Sequence, residues 1–293
     1  MHGLDGQVTA LMREVGQRVI LPRHRRLRAG EVIEKTPGEL VTVVDREAEA
    51  RLTEGLLAID AGTRVVGEEA CAADPALLDG IGQGAVWIVD PLDGTANFAA
   101  GTGAFGVIVA LVVDDETRAG WLYDPVRDRV CHAARGGGAF VDGIPLRVRS
   151  RDGVPVATLA TQFMTPAVRE AVTDRAARHY QLRPIPRCAA EHYPLLCLGD
   201  ADIALFQRTL PWDHAAGALL LQEAGGRVAR WDGSPYRIGD GGRGLLATAS
   251  AVLWDEAAAA LLADPLLRQA ELVPQVLPPS LSGSRPESDA AMP

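Results

Sequence analysis

Ala85-Val86-Trp87-Ile88-Val89-Asp90-Pro91-Leu92-Asp93-Gly94-Thr95-Ala96-Asn97-Phe98 is an apolar run that stops in two carboxylates three positions apart, with proline between them and Gly-Thr behind. The run reads as a buried strand. Two acids held close at its end repel each other and lose hydration unless a cation lies between them. One reading is therefore a hard-cation site at the carboxyl end of a strand, with a phosphate cradle following it. The other is a turn in which Asp90 caps a helix and Pro91-Leu92-Asp93-Gly94 is ordinary turn chemistry.

The same pattern recurs on either side. Arg64-Val65-Val66-Gly67 is a short strand signal that ends in Glu68-Glu69, either a surface charge at a strand end or more of the same site. Leu40-Val41-Thr42-Val43-Val44 is β-like, and Asp45 then opens a run with Ala48, Leu52, Leu56 and Leu57 on one helical face, which places Asp45 as a helix N-cap or as a catalytic group. Further on, Pro211 precedes a helix with Asp213 in its first turn, where the helix dipole favours an anion. Ala215, Ala216 and Gly217 leave the start of that helix with little side-chain surface, so it can approach another backbone closely. His214 beside them is expected to be a packing or surface residue rather than a ligand.

Bulk properties narrow the class. The chain has 293 residues, 47% hydrophobic and 23% charged, and 29 basic against 38 acidic residues give a net charge of −9. That balance is globular and disfavours a broad nucleic-acid footprint. The basic cluster Arg23-His24-Arg25-Arg26-Leu27-Arg28 is the exception and reads as a solvated helix end or loop. Cys71, Cys131, Cys188 and Cys197 form no C-x-x-C pair and no Cys/His group with zinc spacing, as expected of a reduced cytoplasmic protein. No signal-peptide core stands at the N-terminus, and the longest apolar run, Val107 to Val113, is too short to span a bilayer, so a soluble protein is expected.

The periodicities divide the chain. Val8 to Ile20 is helical; Glu34-Lys35-Thr36-Pro37-Gly38-Glu39 reads as a mobile turn. Phe105 to Val113, Ala119 to Tyr123, Val130 to Ala134 and a hairpin on Asp142-Gly143 form an antiparallel meander. After about Ser150 helices and strands alternate: strand 156–161, helix 166–179, strand 183–187, helix 193–199, strand 203–206, helix 212–224, strands 228–230 and 244–247, and helix 251–262. This predicts an N-terminal α+β half over 1–149, a C-terminal α/β half over 150–273, and a disordered tail over 274–293.

Together, Gly67-Glu68-Glu69, Asp90-Pro91-Leu92-Asp93-Gly94-Thr95-Ala96-Asn97-Phe98 and Pro211-Trp212-Asp213 through Glu223-Ala224-Gly225-Gly226 stand in the order and spacing of the inositol monophosphatase family. Leu40-Val41-Thr42 with Asp45 resembles a fourth element of that family, and Gly136 to Phe140 through Gly143 a weaker fifth. The resemblance runs from about Val8 to about Leu262. It implies an α/β (α+β) fold, a layered αβαβα sandwich of the sugar phosphatase type. It also implies Mg²⁺-dependent, commonly lithium-sensitive hydrolysis of a phosphate monoester, with two or three ions, Mn²⁺ as a substitute, and often a homodimer. By position, Glu68, Asp90, Asp93, the Leu92 carbonyl and Asp213 would ligate the metals. Asp93, Gly94, Thr95 and Asp213 would face the substrate. Asp45, Thr95 and Glu68 would be catalytic, with Asp45 and the Thr95 hydroxyl orienting and helping to deprotonate the attacking water. The residues agree with that chemistry. An oxygen-only ligand set selects Mg²⁺ or Mn²⁺ over zinc. Two such ions about 4 Å apart clamp the attacking and leaving oxygens. No Ser or Cys nucleophile with a base partner is evident, so water attacks directly.

The leaving alcohol is where the resemblance thins. Relatives that act on inositol phosphate usually carry a Glu seven positions before the Asp of the Trp-Asp pair, and here that position is Phe206. The segment Arg187 to Tyr193 lacks the family's Gly-Ser/Thr-Ala pattern, and Arg187, Glu191, His192 and Gln207 are candidates to line the pocket. Inositol-like, sugar and histidinol phosphates remain open as substrates, as do 3′(2′),5′-bisphosphate nucleotidase and fructose-bisphosphatase activities. A catalytically silent phosphate-ligand or protein-binding module is the alternative of another class. No nucleic-acid or membrane partner is expected.

Overall fold

In a computed structural model, residues 2–28, 30–36, 39–149, 153–242, 244–263 and 267 are described. The proposed tail 274–293, Pro37-Gly38 of the expected turn and the boundary at 150–152 lie outside them.

The N-terminal half begins with α1 (His2–Val15), which continues through a π-helical turn, Gly16–Ile20. An antiparallel hairpin follows, β1 (Val32–Thr36) and β2 (Glu39–Thr42). Glu34, Lys35, Thr36 and Glu39 are thus strand residues, not part of a loose turn. Next come α2 (Val43–Ile59), β3 (Arg64–Gly67), α3 (Glu68–Ala73), β4 (Ala85–Asp93) and α4 (Thr95–Ala100). The meander is β5 (Gly106–Val113), β6 (Glu116–Asp124), β7 (Arg129–Ala134), β8 (Gly138–Val141) and β9 (Ile144–Leu146). β3 to β9 form one seven-stranded sheet in chain order, antiparallel except for β3 beside β4.

The C-terminal half contains β10 (Val156–Ala160), α5 (Pro166–Ala177), β11 (Gln181–Arg183), α6 (Ala189–Leu198), β12 (Ile203–Phe206), α7 (Pro211–Glu223), β13 (Arg227–Arg230), β14 (Leu245–Thr248) and α8 (Ala251–Leu261). Its five-stranded sheet runs β11-β10-β12-β14-β13, with β11, β10 and β12 parallel and β14 antiparallel to both neighbours. Two expectations shift here. The strand expected at 183–187 ends at Arg183, because Pro184 and Pro186 lack the N–H a ladder needs. The helix expected from Tyr193 begins four residues earlier at Ala189 and carries Pro194 inside it.

Three apolar cores stack these elements into five layers. On one face of the large sheet, Met12, Leu52 and Leu56 of α1 and α2 meet Trp87, Val89, Trp121 and Tyr123. On the other face, Val86, Ile88, Ile108 and Leu122 meet α6 and α7 through Leu196, Ala216 and Leu220, and these helices also cover Ala204, Val228 and Ala247 of the small sheet. Val172, Trp254 and Leu261 of α5 and α8 close the far side against Ile203, Leu205 and Leu246. The result is an αβαβα sandwich. Because helices cover both faces of β4, its residues read as a continuous apolar run instead of an alternating one. The small surface at the start of α7 is used as expected: a Cβ on Gly120 of β6 would stand 2.6 Å from the Ala216 Cα.

The basic cluster is partly tied down. Arg23 pairs with Glu47 at 2.6 Å, Arg25 Nε donates to the Gly101 carbonyl at 3.0 Å, and His24 packs on Phe98 and Phe105. All four cysteines are free thiols and buried. No described helix is long and apolar enough to cross a membrane.

Candidate active site

β4 ends in an irregular pairing. Asp90 stands opposite Ile108 and Asp93 opposite Gly106, so three residue steps on one strand face two on the other. Pro91, without an N–H, sits inside this bulge, and bulges re-aim side chains. Asp90 Oδ1 accepts from the Leu92 amide at 3.0 Å. Gly94 then adopts φ +82°, and a Cβ there would meet the Ala104 carbonyl at 2.7 Å, so only glycine makes this turn into α4.

The bulge brings Asp90 and Asp93 together with Asp213 from the first turn of α7, and one oxygen of each lies within 4.8 Å of the others. Glu68, at the head of α3, lines the same cleft of about 380 Å³, as do Leu92, Gly94 and Thr95. Burial and mutual repulsion show in the titration of the acids. Asp90 is held well above the usual carboxylate range, first by burial and then by the charges of Glu68, Asp93 and Asp213. Asp213 is raised by burial and by Asp93, with Arg208 pulling the other way. Asp93 is pushed up to about 6 by burial, although the Ala190 amide donates to its Oδ2 at 2.6 Å.

Asp45 is not the N-cap of α2. Thr42 is, its hydroxyl accepting from the Val44 amide at 3.1 Å, while Asp45 at the third helical position accepts from the Thr42 amide and hydroxyl at 2.8 and 2.6 Å, closing a capping box. Its other oxygen, Oδ1, lies 2.9 Å from the Thr95 hydroxyl, which is also 2.9 Å from the Leu92 carbonyl. One hydroxyl proton serves both acceptors. Burial pushes Asp45 up to about 6 against the pull of these hydrogen bonds.

Of the pocket candidates, Arg187 and His192 line the cleft, with Phe206 beside them. Glu191 and Gln207 are not among its lining residues. Glu191 turns to Arg127 at 3.3 Å and to Arg129, and Gln207 is buried. His192 and His214 are packing groups at the cleft wall. His192 Nε2 meets the Thr158 hydroxyl at 2.6 Å, His214 Nδ1 meets the Tyr193 hydroxyl at 2.8 Å, and burial lowers both rings to about 3.

Several residues at or beside the cleft were not singled out from the sequence, Gln162 and Ile185 among them. Lys35 of β1 pairs with Glu69 and stands 3.4 Å from Glu68, while Glu39 of β2 pairs with Arg208. Arg208 also lies 3.9 Å from the centroid of the Phe163 ring. Only the charge of Lys35 and Glu39 within a short polar segment hinted at them.

A family model described as "Inositol monophosphatase family" matches residues 5–266. The inositol-1-monophosphatase of Mycobacterium leprae is 37% identical over 238 residues, covering 77% of this chain and 79% of the relative. The Nus factor SuhB of Pseudomonas aeruginosa is 34% identical over 221 residues, covering 71% and 79%. Among solved structures, inositol monophosphatase II of Staphylococcus aureus superposes with a TM-score of 0.78 at 24% identity, covering 92% of this chain and 98% of that one, a likeness of fold. By this match, the chain belongs to the inositol monophosphatase family of phosphoric monoester hydrolases.

Proposed function

We propose that this enzyme is a Mg²⁺-dependent phosphatase that releases inorganic phosphate from a small-molecule phosphate monoester by direct attack of water. The observation that carries the reading is the convergence of Asp90, Asp93 and Asp213, from both halves of the chain, within 4.8 Å at one cleft. Three carboxylates this close, Asp90 and Asp93 buried and Asp213 partly so, are a poor arrangement without a cation. No described basic side chain pairs with Asp90, Asp93 or Asp213: Lys35 pairs with Glu68 and Glu69 at the edge of the site, and Arg208 pairs with Glu39. An all-oxygen donor set suits Mg²⁺, or Mn²⁺ in its place, in two or three positions. Glu68, Asp90, the Leu92 carbonyl, Asp93 and Asp213 would hold the ions. When bound, they supply the charge that offsets the phosphate and acidifies the attacking water.

The chain's own groups do the rest. Thr95 Oγ1 donates toward Asp45, which leaves its lone pairs free to accept from water in the cleft. Asp45 is the proton acceptor behind that hydroxyl, and Glu68 helps to orient the water. Gly94 and Thr95 seat the phosphate, with Asp93, Asp213 and Arg187 toward the rest of the substrate. A new P–O bond forms to the water oxygen, the ester P–O bond breaks, and the departing alkoxide takes a proton from solvent as the nucleophile gives one up. In this reading 1–149 supplies most metal ligands, and 150–273 supplies Asp213 and the specificity segments. Inhibition by lithium, a homodimeric state and a cytoplasmic setting belong to the same proposal.

The test is Mg²⁺-dependent phosphate release from a panel of monoesters, with and without lithium. Release that needs Mg²⁺ and falls with lithium is expected. No release from any ester would overturn the reading in favour of a silent binding module.

A further inference from the structure

The cleft has two unlike sides. Facing the acids, Ala160 and Phe206 stand as register partners at the carboxyl ends of the parallel strands β10 and β12, the place where open α/β sheets receive ligands. Phe163 and Ile185 extend this side toward the mouth. Most of its polar groups are occupied: His192 Nε2 by Thr158, both His214 nitrogens by Tyr193 and the Arg208 carbonyl, and the Arg208 guanidinium by Glu39 and the Phe163 ring, which leaves the exposed Gln162 amide and the buried Arg208 Nε. Phe206 is itself locked in place, stacked on Tyr193 and edge-on to His192 and His214. No ring of donors and acceptors for a polyol is present on this side among the described residues.

Arg187 differs from the rest. It is exposed, lines the same cleft, and has no hydrogen-bond or ion-pair partner among the described residues. Its backbone sits at φ +54°, a left-handed conformation unfavourable for arginine. Strain of this kind gathers where a side chain is held for a ligand. The neighbouring Pro186 carbonyl accepts from Asn97 Nδ2 at 2.9 Å, which ties this strained turn to the helix that begins at Thr95.

We propose that the alcohol half of the substrate is a flat, apolar, aryl-bearing group seated against Phe206, with a second anionic group at its far end that pairs with Arg187, and that polyol phosphates are poor substrates. This rests on the phosphatase reading and specifies what it releases. With only the Gln162 amide and Arg208 Nε on this side, most hydroxyls of a polyol brought against Phe206, Ala160 and Ile185 lose water without gaining a partner, and an apolar pocket discriminates against one added hydroxyl by roughly 100-fold. An aryl ring gains an aromatic contact with Phe206. A carboxylate at the mouth gains a charge-assisted bond to a guanidinium that has none.

The experiment measures kcat/KM of the full chain with Mg²⁺ for 2-phenylethyl phosphate, its 4-carboxy derivative, inositol 1-phosphate and p-nitrophenyl phosphate. The neutral aryl ester is expected to exceed inositol 1-phosphate by at least about 100-fold, and the 4-carboxy ester to exceed the neutral one by about tenfold. Arg187→Gln should erase the difference between the two aryl esters, and Phe206→Glu should narrow or reverse the aryl-over-polyol preference. The wild-type comparison decides even if Phe206→Glu fails to fold. Mg²⁺-dependent release that is fastest from inositol 1-phosphate overturns this inference and leaves the phosphatase standing. A carboxylate preference that survives Arg187→Gln removes the anionic group from the proposal. No release from any of the four esters overturns both readings.

Discussion

The Ala190 amide donates to Asp93 Oδ2 at 2.6 Å, joining the first turn of α6 to the end of β4 across 97 positions of sequence. One carboxylate therefore has two tasks, to anchor a helix of the second half and to complete the acidic cluster. Asp93→Asn separates them. The amide oxygen can still accept from Ala190, and a buried charge that repels its neighbours is gone. Phosphate release should fall by more than about 100-fold, beyond the 10–100-fold loss usual for an outer partner of a metal ligand. The metal-free melting temperature should hold or rise. A phosphate-release assay and a thermal melt check both, and an active variant would remove Asp93 from the metal site.

The acids also set how stability depends on pH. Asp45 and Asp93 are both raised from 3.8 to about 6, so at these two groups the metal-free folded state binds more protons than the unfolded state across that window. Their contribution is fully present below about pH 4 and is lost as pH rises through about 6. Asp90 and Asp213 shift in the same direction and extend the loss upward. In a chelator, the acids should lower the melting temperature between about pH 4 and pH 7, opposed by His192 and His214, whose rings are lowered to about 3 and gain stability over the same window; His192→Gln should therefore steepen the fall. Added Mg²⁺ should restore more at the upper end, where the carboxylates are ionised. A Mg²⁺ increment that shrinks as pH rises would contradict the assignment.

What could be read without coordinates follows from how local each signal is. Glu68, Asp90 and Asp93 stood out because apolar strands end in carboxylates, a conflict visible within ten residues, and Asp213 because proline starts its helix. The αβαβα layering came from the family resemblance, since periodicity alone yields a meander and an alternating half but not how they stack. Phe163, Arg208 and Lys35 carry no local oddity. They come to the cleft or its edge because a hairpin and a strand end bring Glu39 to Arg208 and Lys35 to Glu68 and Glu69. The early start of α6 was hidden for the same reason, as its first turn is held by Asp93 and by the pairing of Glu191 with Arg127 and Arg129.

The capping box links helix stability to the base. The Thr42 hydroxyl donates to Asp45 at 2.6 Å and favours its charged form. Thr42→Ala removes that bond and the cap, so α2 should lose about 1 kcal/mol and Asp45 should titrate higher. The acid limb of the kcat/KM profile should move to higher pH, while Thr42→Ser should restore both properties. A limb that stays in place in the alanine variant would mean that Asp45 is not the base.

The position of Asp213 depends on how closely α7 can lie on β6. A Cβ on Gly120 would stand 2.6 Å from the Ala216 Cα and 3.2 Å from its carbonyl oxygen, backbone atoms that no rotamer change can clear. Gly120→Ala must therefore push the helix or the strand aside, at a cost of about 1–3 kcal/mol. The displaced helix carries Asp213 at its third position, while Asp90 and Asp93 stay with β4, so the three carboxylates separate. The variant should melt lower and require more Mg²⁺ for half-maximal phosphate release, with the apparent Mg²⁺ affinity changing more than KM for the ester. Val172→Ala on α5, buried in the separate core on the far side of the small sheet, serves as a control for loss of stability alone. If both variants weaken Mg²⁺ dependence equally, the close approach at Gly120 has no special hold on the site.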